Sequence, residues 1–149
     1  MGIRYYFNPD DLAYAVRDVL SADTTLRGSS YLNSTDARIF TGSLPRDSGD
    51  RSILVEVGAG MNVSEMQTYS LTVRVHCYVP LLSNNQIDPK VHTILERCEQ
   101  LLNGNMITIT NARCRPLYSE GCVPAYFDEY TGVNKAHGIL LLTCHVDPD

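Results

Sequence analysis

The chain has 149 residues, 44 % hydrophobic and 19 % charged, with a formal net charge of −5 at pH 7. That size predicts one domain whose core needs neither disulfide nor metal to hold it. The acidic balance speaks against gripping nucleic acid through its phosphates, which takes a basic patch. No apolar run nears the ~20 residues of a membrane span.

Residues 1–7 carry no apolar segment of the kind that opens a secretory signal, so none is expected. Asn8 is a good N-cap, Pro9 suits the first helical position, and Asp10 and Asp11 favour the positive end of a helix dipole. With Leu12, Ala15, Val16, Val19 and Leu20 on one stripe, these residues predict a helix over 9–20. A polar loop follows to residue 34, then a short strand over 38–41. Residues 42–52 form a polar loop around Pro45, Ser48 and Gly49. A strand over 53–57 leads into a glycine-containing loop that ends at Gln67.

The strongest pattern lies at residues 68–79. Tyr69, Leu71, Val73, Val75, Cys77 and Val79 fall on one face, and Ser70, Thr72, Arg74, His76 and Tyr78 on the other. Strict alternation over such a run predicts a long strand with one dry face, closed by Pro80. Asp88-Pro89 repeats the earlier helix-start signal. Val91, Ile94, Leu95, Cys98, Leu101 and Leu102 share a face, and Gly104 supplies a left-handed C-terminal turn, predicting a second helix over 89–103. Strands are expected at 106–110, 112–118 and 136–146, with residues 120–135 as a long irregular segment interrupted by Gly121, Pro124 and Gly132. The expected fold is α+β, with a mostly antiparallel (mixed) sheet flanked by two main helices in the order α-β-β-β-α-β-β-β. It forms a single domain over residues 1–149.

No catalytic, cofactor or metal signature emerges. Cys114 and Cys122 stand eight apart, and the neighbours His76-Cys77 and Cys144-His145 would point to opposite faces of a strand, so neither pair can chelate one ion. The five cysteines are odd in number and scattered, which suits free, mostly buried thiols. Gly28-Ser29-Ser30 lacks nucleophile-elbow spacing, and Gly58-Ala59-Gly60 has neither a helix nor a Lys-Ser/Thr after it. Two segments suit contact with a partner instead. The aromatic residues Tyr126, Phe127 and Tyr130 either pin a long loop to the core or arm a docking surface. Arg46, Asp47, Asp50 and Arg51, with Glu65 in the following loop, offer either a solvated rim or a charged contact. Of the 12 basic residues all but Lys90 and Lys135 are arginine, the cation suited to planar multidentate contacts.

The order of these elements resembles the tail-terminator, or tail-completion, proteins of long-tailed bacteriophages. The resemblance runs through the opening helix, Leu44-Pro45-Arg46, the strand Ile53-Leu54-Val55-Glu56-Val57 ending at Gly58, and the alternating strand. It continues through the Val91-to-Leu102 helix and the Asp128 loop before His137-Gly138-Ile139-Leu140-Leu141. It implies a structural virion protein, made in the host cytoplasm, that forms a ring typically of six subunits at the head-proximal end of the tail tube. Such a ring stops tube polymerisation and joins the tail to the neck. The implied partners are copies of itself, the tail tube protein, a neck or head-completion protein and, in a contractile tail, the sheath protein. DNA passes through without specific binding, no membrane is involved, and no catalytic residue or cofactor is implied. The alternatives are a head-completion or stopper protein of the neck, and a small cytosolic enzyme or ligand-binding domain using a pocket beside residues 120–135 with His137 or a cysteine as polar anchor.

Overall fold

A computed structural model describes residues 8–33, 38–44, 51–58, 61–62, 68–130 and 133–148, with backbone alone at 61–62, 129–130, 133–134 and 148. Helix α1 (Pro9–Ser21) starts where its signals place it, the Asn8 side chain accepting the Asp10 N–H at 3.0 Å. The second helix, α2 (Lys90–Leu102), begins one residue later than expected. Asp88 still serves its end, accepting the Lys90 N–H at 2.9 Å, and Gly104 takes the left-handed conformation at φ 79°.

The strands are β1 (Ile39–Thr41), β2 (Ser52–Val57), β3 (Met61–Asn62), β4 (Tyr69–Pro80), β5 (Thr108–Ile109), β6 (Ala112–Cys114), β7 (Tyr118–Tyr130) and β8 (Val133–Pro148). They make one mixed sheet in the order β1-β2-β4-β8-β6-β5, with β3 on β4 and β7 on β8. The β1–β2 pair is parallel and the other pairs are antiparallel. This is the expected α+β class with two further strands, the short β3 and the long β7.

The expectation of an irregular segment over 120–135 is corrected: residues 120–130 and 133–135 belong to a β-hairpin, β7 running antiparallel to β8 from Tyr118 opposite Thr143 to Tyr130 opposite Val133. Two register shifts, between Ser119 and Gly121 and between Val123 and Tyr126, break the ladder. Gly121 lies at the first with φ 107°, a conformation that disfavours side chains, and Pro124, which has no N–H to donate, lies within the second. The residues that read as loop punctuation are the residues a bulged strand requires.

Both helices cover one face of the sheet. The dry face of β4 is buried as its alternation dictates, Leu71, Val73, Val75 and Cys77 being fully enclosed with Leu140, Leu142 and Cys144 of β8. Val91, Ile94, Leu95, Cys98 and Leu102 of α2 complete the core. Each large side chain among them contributes about 1.5–3 kcal/mol as an upper estimate. Four of the five cysteines are buried, in keeping with the expectation of free, mostly buried thiols, and Cys122 on β7 is exposed.

Candidate functional site

The face of the sheet away from the helices is where sequence and structure diverge most. Alternation places His76 and Tyr78 on the polar side of β4, yet both are buried. Tyr78 packs with Leu54 and Leu44 in a second small apolar cluster, edged by Phe40. The hairpin supplies the other wall. Register sets His137 of β8 opposite Tyr78 of β4 on one side and opposite Tyr126 of β7 on the other.

The polar groups gathered there form a line across four strands. Glu56 of β2 lies in close contact with His76 Nε2, which makes no hydrogen bond. His76 Nδ1 lies 2.8 Å from His137 Nε2, and His137 Nδ1 lies 2.7 Å from Asp128 Oδ2 and 2.9 Å from the Tyr126 hydroxyl. The Tyr78 ring stacks on the His137 ring with centroids 4.2 Å apart. Burial lowers the pKa of His76; Glu56 acts against this, while His137 and Arg74 reinforce it. Burial also lowers His137, with the Asp128 hydrogen bond and charge opposing. Burial, then the nearby Asp128 charge, raises the Tyr126 phenol.

The aromatic residues of the hairpin divide between its two faces. Tyr126 turns toward His137 and keeps an exposed ring, whereas Phe127, opposite Ala136, is 56 % exposed. β8 pairs with β4 only as far as Lys135, opposite Pro80, so the end of the hairpin runs past the end of β4. The root of the hairpin is fixed from α2. Asn103 Oδ1 accepts the Ser119 N–H at 2.9 Å, Ser119 Oγ donates to Glu99 at 3.0 Å, and His92 accepts the Ala125 N–H at 3.3 Å.

Of the residues expected at an interface, Tyr126 and Phe127 lie together on β7, and the backbone of Tyr130 ends that strand. Arg51 lies elsewhere and is engaged, its guanidinium donating to the carbonyls of Tyr31 (2.6 Å) and Ser29 (3.3 Å). Arg46, Asp47, Asp50 and Glu65 lie outside the described residues.

No three His, Cys, Asp or Glu side chains converge on a common metal position among the described residues. A cleft of about 310 Å³ is lined by residues including Arg38, Arg51, Pro80 and Asp88, with neither His137 nor a cysteine in its wall. A second cleft, of about 210 Å³, has Met106, Ile107, Arg113 and Cys114 in its wall.

The Glu56–His76–His137–Asp128 line was invisible in sequence because its histidines stand 61 positions apart. The available signal was a histidine and a tyrosine in the polar column of β4. Their partners depend on a register that the two bulges of β7 shift.

No protein-family model matches the chain, and no curated protein matches it in sequence. Among solved structures, the fold is similar to that of a chain in the virion of a native gene transfer agent (GTA) particle. The TM-score is 0.69 at 13 % identity, over 96 % of this chain and 99 % of that one. At that identity the likeness is one of fold, and it extends through nearly the whole of both chains.

Proposed function

We propose that this chain is a structural virion protein that closes the head-proximal end of a phage-type tail tube as a ring of identical subunits, six in number by analogy with the resembled family. The observation that carries the reading is the near-complete overlap of its fold with a chain of a virion particle. The order of elements in the sequence supports it independently.

The physical design suits that role. A closed ring is built from heterologous contacts, one face of a subunit meeting a different face of the next. The hairpin, with Tyr126, Phe127 and Tyr130, offers one such surface. Arg46, Asp47, Asp50 and Glu65 would supply a second contact of different chemistry, while Arg51 donates to the carbonyls of Tyr31 and Ser29. Each contact has to bury about 1,000 Å² to be specific. The proposed work is done by surfaces rather than a reactive centre, and the net charge of −5 suits a channel through which DNA slides without sticking.

Particles assembled without this protein test the reading directly. Electron microscopy should show tails of uncontrolled length. Leaky full heads bearing normal tails would instead identify a neck stopper, and normal particles would remove the chain from the virion altogether. In solution or on tube protein, Phe127→Ser should leave the circular dichroism spectrum unchanged and weaken self-association at least about thirtyfold, as expected for a central aromatic contact.

A further inference from the structure

We propose that Cys114 and Cys144 are an oxidisable pair: hydrogen peroxide entering the cleft beside Cys114 converts the two thiols into a disulfide that staples the end of β6 to the central strand β8. The proposal does not depend on the virion reading.

Strand register brings the two cysteines together. Cys114 stands opposite Val146, and in the next pair the Arg115 N–H donates to the His145 carbonyl at 2.8 Å. Successive pairs of an antiparallel ladder alternate, so Cys114 and Val146 form the non-hydrogen-bonded kind, in which side chains lie closer. Cys144 is two residues from Val146 on the same face, which makes it the diagonal neighbour of Cys114. The right-handed twist of the strands draws that diagonal inward. Side-chain contact agrees: Cys144 Sγ lies 3.7 Å from the carbonyl oxygen of Arg115, the residue that follows Cys114. Both cysteines are buried in the core beneath the helices.

Their surroundings give the two sulfurs different roles. The Cys144 thiol, hydrogen-bonded to Cys114, holds the Cys114 thiol below its ordinary range, and burial works against this. The same contact, then burial, raises the Cys144 thiol. The thiolate is the nucleophile, so Cys114 attacks first and Cys144 second. Access divides them in the same order. Cys114 lies in the wall of the 210 Å³ cleft with Met106, Ile107 and Ala112, whereas Cys144 is wholly enclosed. At 3 % exposure Cys114 has no room for an aromatic thiol reagent, but hydrogen peroxide is barely larger than water. The other three cysteines suit the reaction less well. Burial raises Cys77 and Cys98, which are fully enclosed, and burial with the Glu99 charge raises the exposed Cys122.

The chemistry takes two displacements. The Cys114 thiolate attacks one peroxide oxygen, and the O–O bond breaks. The other oxygen leaves as hydroxide, takes up the proton that Cys114 had released and becomes water, while Cys114 becomes a sulfenic acid. The Cys144 sulfur then attacks the Cys114 sulfur. The S–O bond breaks as the S–S bond forms, and the departing hydroxide takes the Cys144 proton as a second water. Two thiols are oxidised and one peroxide is reduced.

The bond asks for a small movement. Diagonal neighbours stand about 7–8 Å apart at Cα, and a disulfide takes about 4.4–6.8 Å. The end of β6 has that freedom, because the strand is three residues long and Pro116 brings no N–H to prolong its ladder. Part of the bond's strength is then held as strain, which makes the staple reducible. What it fastens is the short β5–β6 edge of the sheet to β8.

The experiment treats the folded, reduced Cys122→Ser chain with hydrogen peroxide, blocks the remaining thiols and digests with trypsin. With Cys122 gone, Cys114 and Cys144 fall on separate peptides, residues 114–135 and 136–149, each with one cysteine. The intact chain should lose two hydrogen atoms in mass, those two peptides should be joined, and dithiothreitol should separate them. The oxidised chain should show a folded-to-unfolded ratio about thirtyfold above the reduced one, the lower end of what a disulfide gives, because of the strain. In Cys144→Ser the reaction should stop at a Cys114 sulfenic acid that dimedone traps, and in Cys114→Ser it should not start. The mass and peptide readouts alter neither cysteine, so they stand even where one of these variants fails to fold. A folded chain that forms no disulfide, joins Cys77 to Cys98 instead, or forms the bond only in denaturant overturns the pair. An oxidised chain no more stable than the reduced one overturns the staple, and a dimedone adduct on Cys144 in Cys114→Ser overturns the assigned roles.

Discussion

Gly138 offers the sharpest test of how the helices meet the sheet. It stands opposite Cys77 on the helix-facing side, and a Cβ built there would lie 2.9 Å from Leu95 Cδ1, 3.1 Å from Val91 Cγ2 and 3.9 Å from Ala125 Cβ. Comfortable carbon contacts are about 3.5–4.0 Å, so a methyl group overlaps Leu95 by roughly 0.6 Å. Overpacking of that order costs about 1–3 kcal/mol. Replacing glycine also restricts the unfolded chain, worth about 0.4–1 kcal/mol in the other direction. The overlap wins, and Gly138→Ala is expected to destabilise by roughly 1–2 kcal/mol, lowering the thermal midpoint by roughly 2–8 °C for a domain of this size. Thermal unfolding followed by circular dichroism measures it. A double-mutant cycle then locates the cause. Leu95→Ala alone should cost about 2–5 kcal/mol through the cavity it leaves. In that background Gly138→Ala should lose most of its cost, since the atom it strikes is gone, giving a coupling of about 0.5–3 kcal/mol. A neutral or stabilising Gly138→Ala, or two strictly additive effects, would refute the close approach of α2 as the reason for this glycine.

Three further outcomes follow from named contacts. Leu95→Asp buries a charge in the core beneath α2 and should abolish the cooperative unfolding transition; a folded spectrum would overturn the packing assigned to that helix. The Arg97 guanidinium donates to both Asp23 oxygens at 2.9 Å and holds that carboxyl below its ordinary range, and Thr68 and Arg115 do the same for Asp147. Depressed folded values mean that this stability is present above the unfolded value of about 3.9 and lost as pH falls through the folded one. Asp23→Asn should therefore flatten part of the acid limb of a denaturant-midpoint profile, and an unchanged limb would contradict the pairing. Finally, a thiol reagent should modify Cys122 alone in the native protein and the remaining four cysteines only after denaturation. Burial and the Glu99 charge raise the Cys122 pKa, so even that reaction should be slow at neutral pH.

The two helices and the central strand were legible in the sequence because their signals are local. An N-cap followed by proline, a 3.6-residue stripe and a period-two run each report on adjacent residues, and tertiary packing had only to agree with them. The hairpin was not legible. Gly121 and Pro124 interrupt the local pattern, and only a partner strand with matching bulges reveals them as parts of a ladder. The same limit hid the polar line.

By itself the sequence determined which face of β4 would be dry, because alternation and apolar burial suffice for that. It could not determine that the opposite face would also be closed at His76 and Tyr78. That depended on Leu44 and Leu54 on one side and the hairpin on the other. Tertiary structure alone decided that four titratable groups from four strands would meet in one line. Side-chain chemistry is written in the chain, but proximity between residues 61 positions apart is set by strand register, and that register is settled by the packing of the whole sheet.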